Sequence, residues 1–145
     1  MKKFLIAGLL IAVTGIIAAA LVFKFYINKP HDDIEKAKPD YSMAANELWL
    51  LYTSEYKTAD SLYTGKVIEL SGTINRAEKS DSLVYVVFVM EADSMFGDKS
   101  VRCEMLQKYN DAASKIKADT PLKIKGFCTG FDDTDIKFNK CSIIQ

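Results

Sequence analysis

The stretch LKIKGFC–TGFDDTD–IKFNKCSII, Leu122 to Ile144, decides the fold. Leu122, Ile124, Gly126 and Cys128 alternate with Lys123, Lys125 and Phe127, the period of two that sends successive side chains to opposite faces of a strand. Thr129 to Asp135 is rich in residues that favour turns, so the stretch predicts a hairpin. In the returning strand Ile136 and Phe138 are out of phase with Cys141 and Ile143. An inserted residue would restore the inward face, so a β-bulge is expected near Asn139 or Lys140.

Upstream, ADTP (118–121) breaks the chain, and before it Leu106, Tyr109, Ala113 and Ile116 recur at helical spacing. SVRCEM (100–105) reads as a strand with Val101, Cys103 and Met105 inward. SLVYVVFVM (82–90) is apolar from Val84 to Met90, the mark of a strand covered on both faces. VIELSGTI (67–74) alternates again, with Ile68, Leu70, Gly72 and Ile74 on one side, and RAEKSDS (76–82) reads as a polar turn. Before these strands, Ser42 is placed to cap a helix through MAANELWLLYTSEY (43–56). Its Ala44, Leu48 and Leu51 stripe and its Trp49, Tyr52 and Tyr56 stripe form one wide apolar face for packing on a sheet. Thr58 to Tyr63 continues or restarts that helix up to the TGK turn at Thr64.

The predicted fold is therefore mainly β with flanking helices. Three strands, a helix and two strands follow one another in the order of a five-stranded OB-type barrel. An amphipathic helix and an N-terminal transmembrane helix precede it. NKPHDDI (28–34), YTGKVIELSGTI (63–74), VRCEM (101–105), LKIKGFCTGF (122–131) and DIKFNKCSII (135–144) resemble the tRNA_anti-like family of small, membrane-anchored, exported OB-fold proteins. The resemblance covers most of the domain. It implies the fold, and no reaction, ligand or cofactor.

The first thirty residues set the expected location. Phe4 to Phe23 is an uncharged run of 20 residues behind Lys2 and Lys3. As a helix it would span about 30 Å, the hydrocarbon thickness of a bilayer. Ala18–Ala20 offer the small residues of a signal-peptidase site, but the run stays apolar through Leu21, Val22 and Phe23, which favours an uncleaved anchor. Residues 1–29 thus read as an anchor with short flanks, 30–41 as a polar tether and 42–145 as the OB-fold domain. Either reading of the N-terminus exports the domain. All 19 acidic residues but only 15 of the 19 basic ones lie beyond residue 30, a net charge of −4 for that part. That sign and that compartment disfavour nucleic acid as a partner, because a phosphate-tracking domain is usually basic.

Cys103, Cys128 and Cys141 admit several chemistries. Three thiols cannot build a four-cysteine zinc site, a fourth ligand would have to be His31 on the tether, and no CxxC pair is present. A structural disulfide or buried thiols remain, and in an exported domain the preferred disulfide is Cys128–Cys141 across the last hairpin. HDDIE (31–35) and DDTD (132–135) read as a solvated charge cluster and a hairpin turn rather than metal sites. One His cannot supply a Ser–His–Asp or Cys–His set, so the domain reads as non-enzymatic.

The expected function is a membrane-anchored binding or interaction module of the cell envelope, with an envelope protein or polymer as partner and no cofactor. An oligonucleotide-binding OB domain is the alternative. Two surfaces are candidates. Val84, Tyr85, Val86 and Phe88 form a docking face only if the amphipathic helix leaves them uncovered; otherwise they are core. Lys123, Lys125, Lys137 and Lys140 could meet phosphates together, or simply protect strand edges.

Overall fold

The structure, a computed structural model, describes residues 13–18, 34–93, 95 and 97–144. The chain divides into two compact units, Met1–Asp33 and Ile34–Gln145. In the first, residues 13–18 are helical; the rest of the expected transmembrane span, and His31, lie outside the described residues. Among the described residues no helix is long and apolar enough to cross a membrane.

The second unit runs β1 (Tyr41–Ala44), α1 (Ala45–Ser54), α2 (Tyr56–Tyr63), β2 (Val67–Thr73), β3 (Arg76–Ser80), β4 (Leu83–Glu91) and β5 (Lys99–Met105). A 3₁₀ turn at Gln107–Tyr109 then leads to α3 (Asn110–Ala113), β6 (Pro121–Phe131) and β7 (Asp135–Ile144). The strands form one sheet in the order β1-β2-β6-β7-β5-β4-β3, with β1·β2 and β5·β7 parallel and the other pairs antiparallel. This is a mainly β, OB-like fold with flanking helices.

Seven strands replace the expected five, and both additions have a physical cause. RAEKS was expected to turn but is strand β3, because β4 offers it five partners from Arg76↔Val87 to Ser80↔Leu83. Ala77 is its one apolar residue, and it packs against the core. The turn shrinks to Asp81 and Ser82, with Asp81 at φ 52°. At the other edge, Tyr41–Ala44 pairs with β2, so Ser42 is not the N-cap: its hydroxyl donates to Glu69 Oε1 at 3.3 Å. α1 begins at Ala45 without a side-chain cap.

Between β2 and β3 the chain changes neighbours. The Ile74 N–H donates to Thr120 O, just before β6, while the next N–H, of Asn75, donates to Val87 O on β4, both at 3.0 Å. The Asn75 side chain holds the junction, accepting the Val89 N–H at 2.7 Å. The inward residues follow the sequence pattern. Ile68, Leu70 and Ile74, then Val84, Val86 and Phe88, Val101, Cys103 and Met105, and Ile124 and Cys128 are all buried. α1 and α2, which part at Glu55, add Leu48, Trp49, Tyr52, Ala59 and Tyr63 to the same core. Phe131 meets Trp49 edge-on at 5.6 Å and Tyr52 at 5.8 Å. The Tyr52 hydroxyl lies 3.1 Å from Thr64 Oγ1, which donates to Asp60 Oδ1 at 2.6 Å.

The bulge falls where the phase break puts it. Cys103 pairs with Phe138 and Met105 with Cys141, leaving Asn139 and Lys140 opposite Glu104 alone, with Lys140 at φ 52°. The expected Cys128–Cys141 disulfide is absent: all three cysteines are free and buried. The register explains it, since Cys128 stands opposite Phe138 and the Cys141 thiol lies over Gly126.

A Cβ on Gly126 would sit 2.5 Å from Cys141 Sγ. Gly126→Ala should therefore cost about 1–3 kcal/mol as overpacking, read as a lower urea midpoint at unchanged m-value. In a Cys141→Ala background that cost should shrink; an equal cost in both backgrounds would rule the contact out as its cause. Tyr52 supplies a pH signature. Burial raises its pKa above the ordinary tyrosine value of 10.0, so the folded state keeps the proton where the unfolded chain begins to lose it. Its contribution is complete below pH 10 and declines above it. Stability measured from pH 9 to 11 should fall more steeply in the wild type than in Tyr52→Phe.

Candidate functional site on the outer face of β4, β5 and β7

Residues that alternate with the core positions form the outer face. Register places Glu78, Tyr85 and Glu104 in one row across β3, β4 and β5. A second row runs Arg76, Val87, Arg102 and Lys137 across β3, β4, β5 and β7. Val87, although outward, is fully buried between its two arginine neighbours. Long arginine stems cover apolar surface in this way while their heads stay in water. The double-sided apolar character of β4 is thus met by side chains of the sheet itself.

A cleft of about 420 Å³ opens on this face, lined by Ser80, Tyr85, Arg102, Glu104, Thr129, Asp135, Lys137, Phe138 and Asn139. The Arg102 guanidinium lies over the Tyr85 ring, 4.8 Å from its centroid, and also donates to Glu78. Arg76 donates to Glu78 at 2.6 Å and to Asp98 at 2.7 Å. Lys137 pairs with Asp132, whose carboxyl it holds below the ordinary range while its own pKa rises. Ser100 donates to Asp135, and Thr129 Oγ1 to Lys137 O at 3.0 Å. Asn139 Oδ1 is buried in the cleft wall and accepts no hydrogen bond. The site therefore offers an arginine–tyrosine contact and cations matched by nearby carboxylates.

The residues singled out from sequence go to different places. Val84, Val86 and Phe88 lie in the core, so the proposed apolar docking face exists only as interior packing. Tyr85 lines the cleft. The four lysines are not brought together. Lys137 lines the cleft near Gly130 of β6, five residues along that strand from Lys125, or roughly 16 Å. Lys123 lies 3.8 Å from Glu69, and Lys140 occupies the bulge. Lys125 donates to the carbonyls of Glu35 (3.0 Å) and Ala37 (2.9 Å). The Glu35 carboxylate accepts from Lys108 and Tyr109, and Lys108 is the main cause of its lowered pKa. Residues 34–40, part of the stretch that reads as a tether, are thus fastened to the domain, with Ile34 buried. Their contacts border a second cavity of about 670 Å³, where two of the three Lys125 donors are already taken.

Arg102, Glu104 and Asn139 escaped the sequence reading, although alternation in SVRCEM makes Arg102 and Glu104 outward. What was missing was the register that sets Arg102 over Tyr85. Among the described residues no group of three or more His, Cys, Asp or Glu could hold a metal ion. DDTD is a turn, with Asp132 Oδ1 accepting the Asp135 N–H at 2.8 Å.

No curated protein matches the chain. Among solved structures it is similar to a lipoprotein of Klebsiella pneumoniae described as a candidate nucleic-acid binder, at a TM-score of 0.51 and 18% identity. The match covers 81% of this chain and 100% of that one. A protein described as a candidate aspartyl-tRNA synthetase from Leishmania major matches at a TM-score of 0.48 and 12% identity, over 72% of this chain and 20% of that one. The asparaginyl-tRNA synthetase of Pyrococcus horikoshii matches at 0.41 and 13%, over 57% and 20%. This chain thus spans about a fifth of either synthetase. The likeness to the Klebsiella pneumoniae protein agrees with the fold derived above, and the sequence matches a family over residues 1–143: the chain belongs to the tRNA_anti-like family.

Proposed function

We propose that this chain is a non-enzymatic binding module of the cell envelope. Its N-terminal apolar segment anchors it, and its exported domain engages a partner on the outer face of β4, β5 and β7. We read β2 and β3 as one bent strand that closes a five-stranded barrel, with β1 added at its edge. The observation that carries the functional reading is the contact of the Arg102 guanidinium with the Tyr85 ring, set in an open cleft. A guanidinium over an aromatic ring joins a cation, its remaining N–H donors and an apolar surface in one place, suited to a polar, extended partner such as an envelope polymer or a protein loop.

An oligonucleotide is the second reading. It is favoured by the same contact, since bases stack on aromatic and guanidinium planes, and by the description of the Klebsiella pneumoniae protein. Against it, Arg102, Arg76 and Lys137 each have a carboxylate partner, so the face lacks a continuous positive groove.

Fluorescence anisotropy of labelled single-stranded DNA and RNA, titrated with the full chain in mild detergent at several salt concentrations, separates the two. The expected outcome is no micromolar binding at physiological salt. Micromolar binding whose logarithm falls linearly with log salt, and which Tyr85→Ala weakens by at least fivefold, would replace the envelope reading with the oligonucleotide one. A photo-crosslinking residue at position 85 should capture an envelope component in cells, whereas one at the exposed Lys57 should not; equal capture at both would count against this face.

A further inference from the structure

On the reading that this face is the binding site, the chemistry of its cleft narrows the partner to one class. Two cations, Arg102 and Lys137, and two carboxylates, Glu104 and Asp135, line it, so their charges cancel. Three of the four already have protein partners: Arg102 donates to Glu78, Lys137 pairs with Asp132, and Asp135 accepts from Ser100. Among the described residues Glu104 has no hydrogen bond or ion pair. It stands opposite Tyr85 in the β4–β5 register, beside the β7 bulge, and both residues are half-buried. Opposed residues of an antiparallel pair hold their Cβ atoms about 5 Å apart, so this ring and this carboxylate can engage one guest together. The hydroxyls of Ser80 and Thr129 complete the lining with groups that carry no charge.

We propose that the cleft binds an uncharged glycan, a segment of a neutral polysaccharide of the envelope. A polyanion would need cations that are not already matched, and a basic chain would meet Arg102 and Lys137 in the same wall. A sugar needs neither excess. Each of its hydroxyls both donates and accepts, so the Glu104 carboxylate takes hydroxyl protons while N–H groups of Arg102 and Lys137 outside their ion pairs donate to sugar oxygens. The C–H surface of a sugar ring packs on the Tyr85 ring, whose face carries partial negative charge. The cleft volume of about 420 Å³ lies within the range of about 300–1,000 Å³ typical of small-ligand sites, which gives room for a short run of sugar rings.

An uncharged ligand releases no counterions, so its affinity changes little with salt, unlike that of an oligonucleotide or a basic peptide. The probes are maltohexaose, cellohexaose, chitohexaose and mannohexaose, titrated by isothermal calorimetry into the full chain in a detergent without a sugar head group. At least one should bind saturably, with less than about a twofold change in affinity between low and physiological salt. Glu104→Gln, which keeps the shape and removes the charge, and Tyr85→Ala should each weaken that binding by about fivefold or more. Lys57→Ala, outside the cleft, should leave it unchanged, and circular dichroism checks the fold of each variant. No binding by any of the four sugars, binding that either cleft variant leaves unaltered, or an affinity that falls steeply with salt would overturn the proposal. The cross-linker at position 85 separates this failure from failure of the face. Capture of an envelope protein with no sugar bound would remove the glycan and keep the face; capture no greater than at Lys57, again with no sugar bound, would remove both.

Discussion

At Ile74 and Asn75 two consecutive backbone N–H groups point to different strands, and the rest of the domain is arranged around that exchange. A strand that kept one neighbour throughout would lie along β6 alone and leave β4 with β5 as its one partner. Instead the chain leaves the β6 side and takes up β4 within two residues, and the Asn75 side chain supplies the extra acceptor at the corner. The inward rows of β2, β4, β5 and β6 then converge on one interior, which α1 and α2 complete with Trp49, Tyr52 and Tyr63. Hydrophobic burial supplies the driving force; the corner determines where it can act.

The same corner shapes the outer surface. Because β3 lies beside β4, Arg76 and Glu78 stand on the face that carries Tyr85 and Arg102. Glu78 thereby serves two arginines, and the cations of the face are locally balanced. Exposed pairs of this kind add little stability. Their weight is electrostatic: they balance the charge of the face locally, and Glu78 holds the Arg102 guanidinium beside the Tyr85 ring.

Strand positions and inward faces were legible in the sequence, because alternation records which side of a strand must be buried. The bulge was legible too, since a phase break between Phe138 and Cys141 has no other economical explanation. Arg76–Ser80 was not: a strand that sends only Ala77 to the core carries no hydrophobic rhythm, and its pairing comes from β4. The N-cap failed for a related reason, as a competing backbone partner on β2 drew Ser42 into a strand. The site was legible only in part. Tyr85 could be placed on an outer face, but the meeting of Arg102 with Tyr85, and the distance between Lys125 and Lys137, depend on inter-strand register. Register is a property of the sheet and of no single segment. The cysteines show the same limit, for the register of β7 sets the Cys141 thiol over Gly126.

The fastening of residues 34–40 has a mechanical consequence. Tension along the chain upstream of Ile34 would be borne first by Ile34 in its pocket and by the Lys125 clasp in the middle of β6, before any load reached the edge strand β1. A pull at the entry point would thus be shared by several contacts before it could reach the sheet.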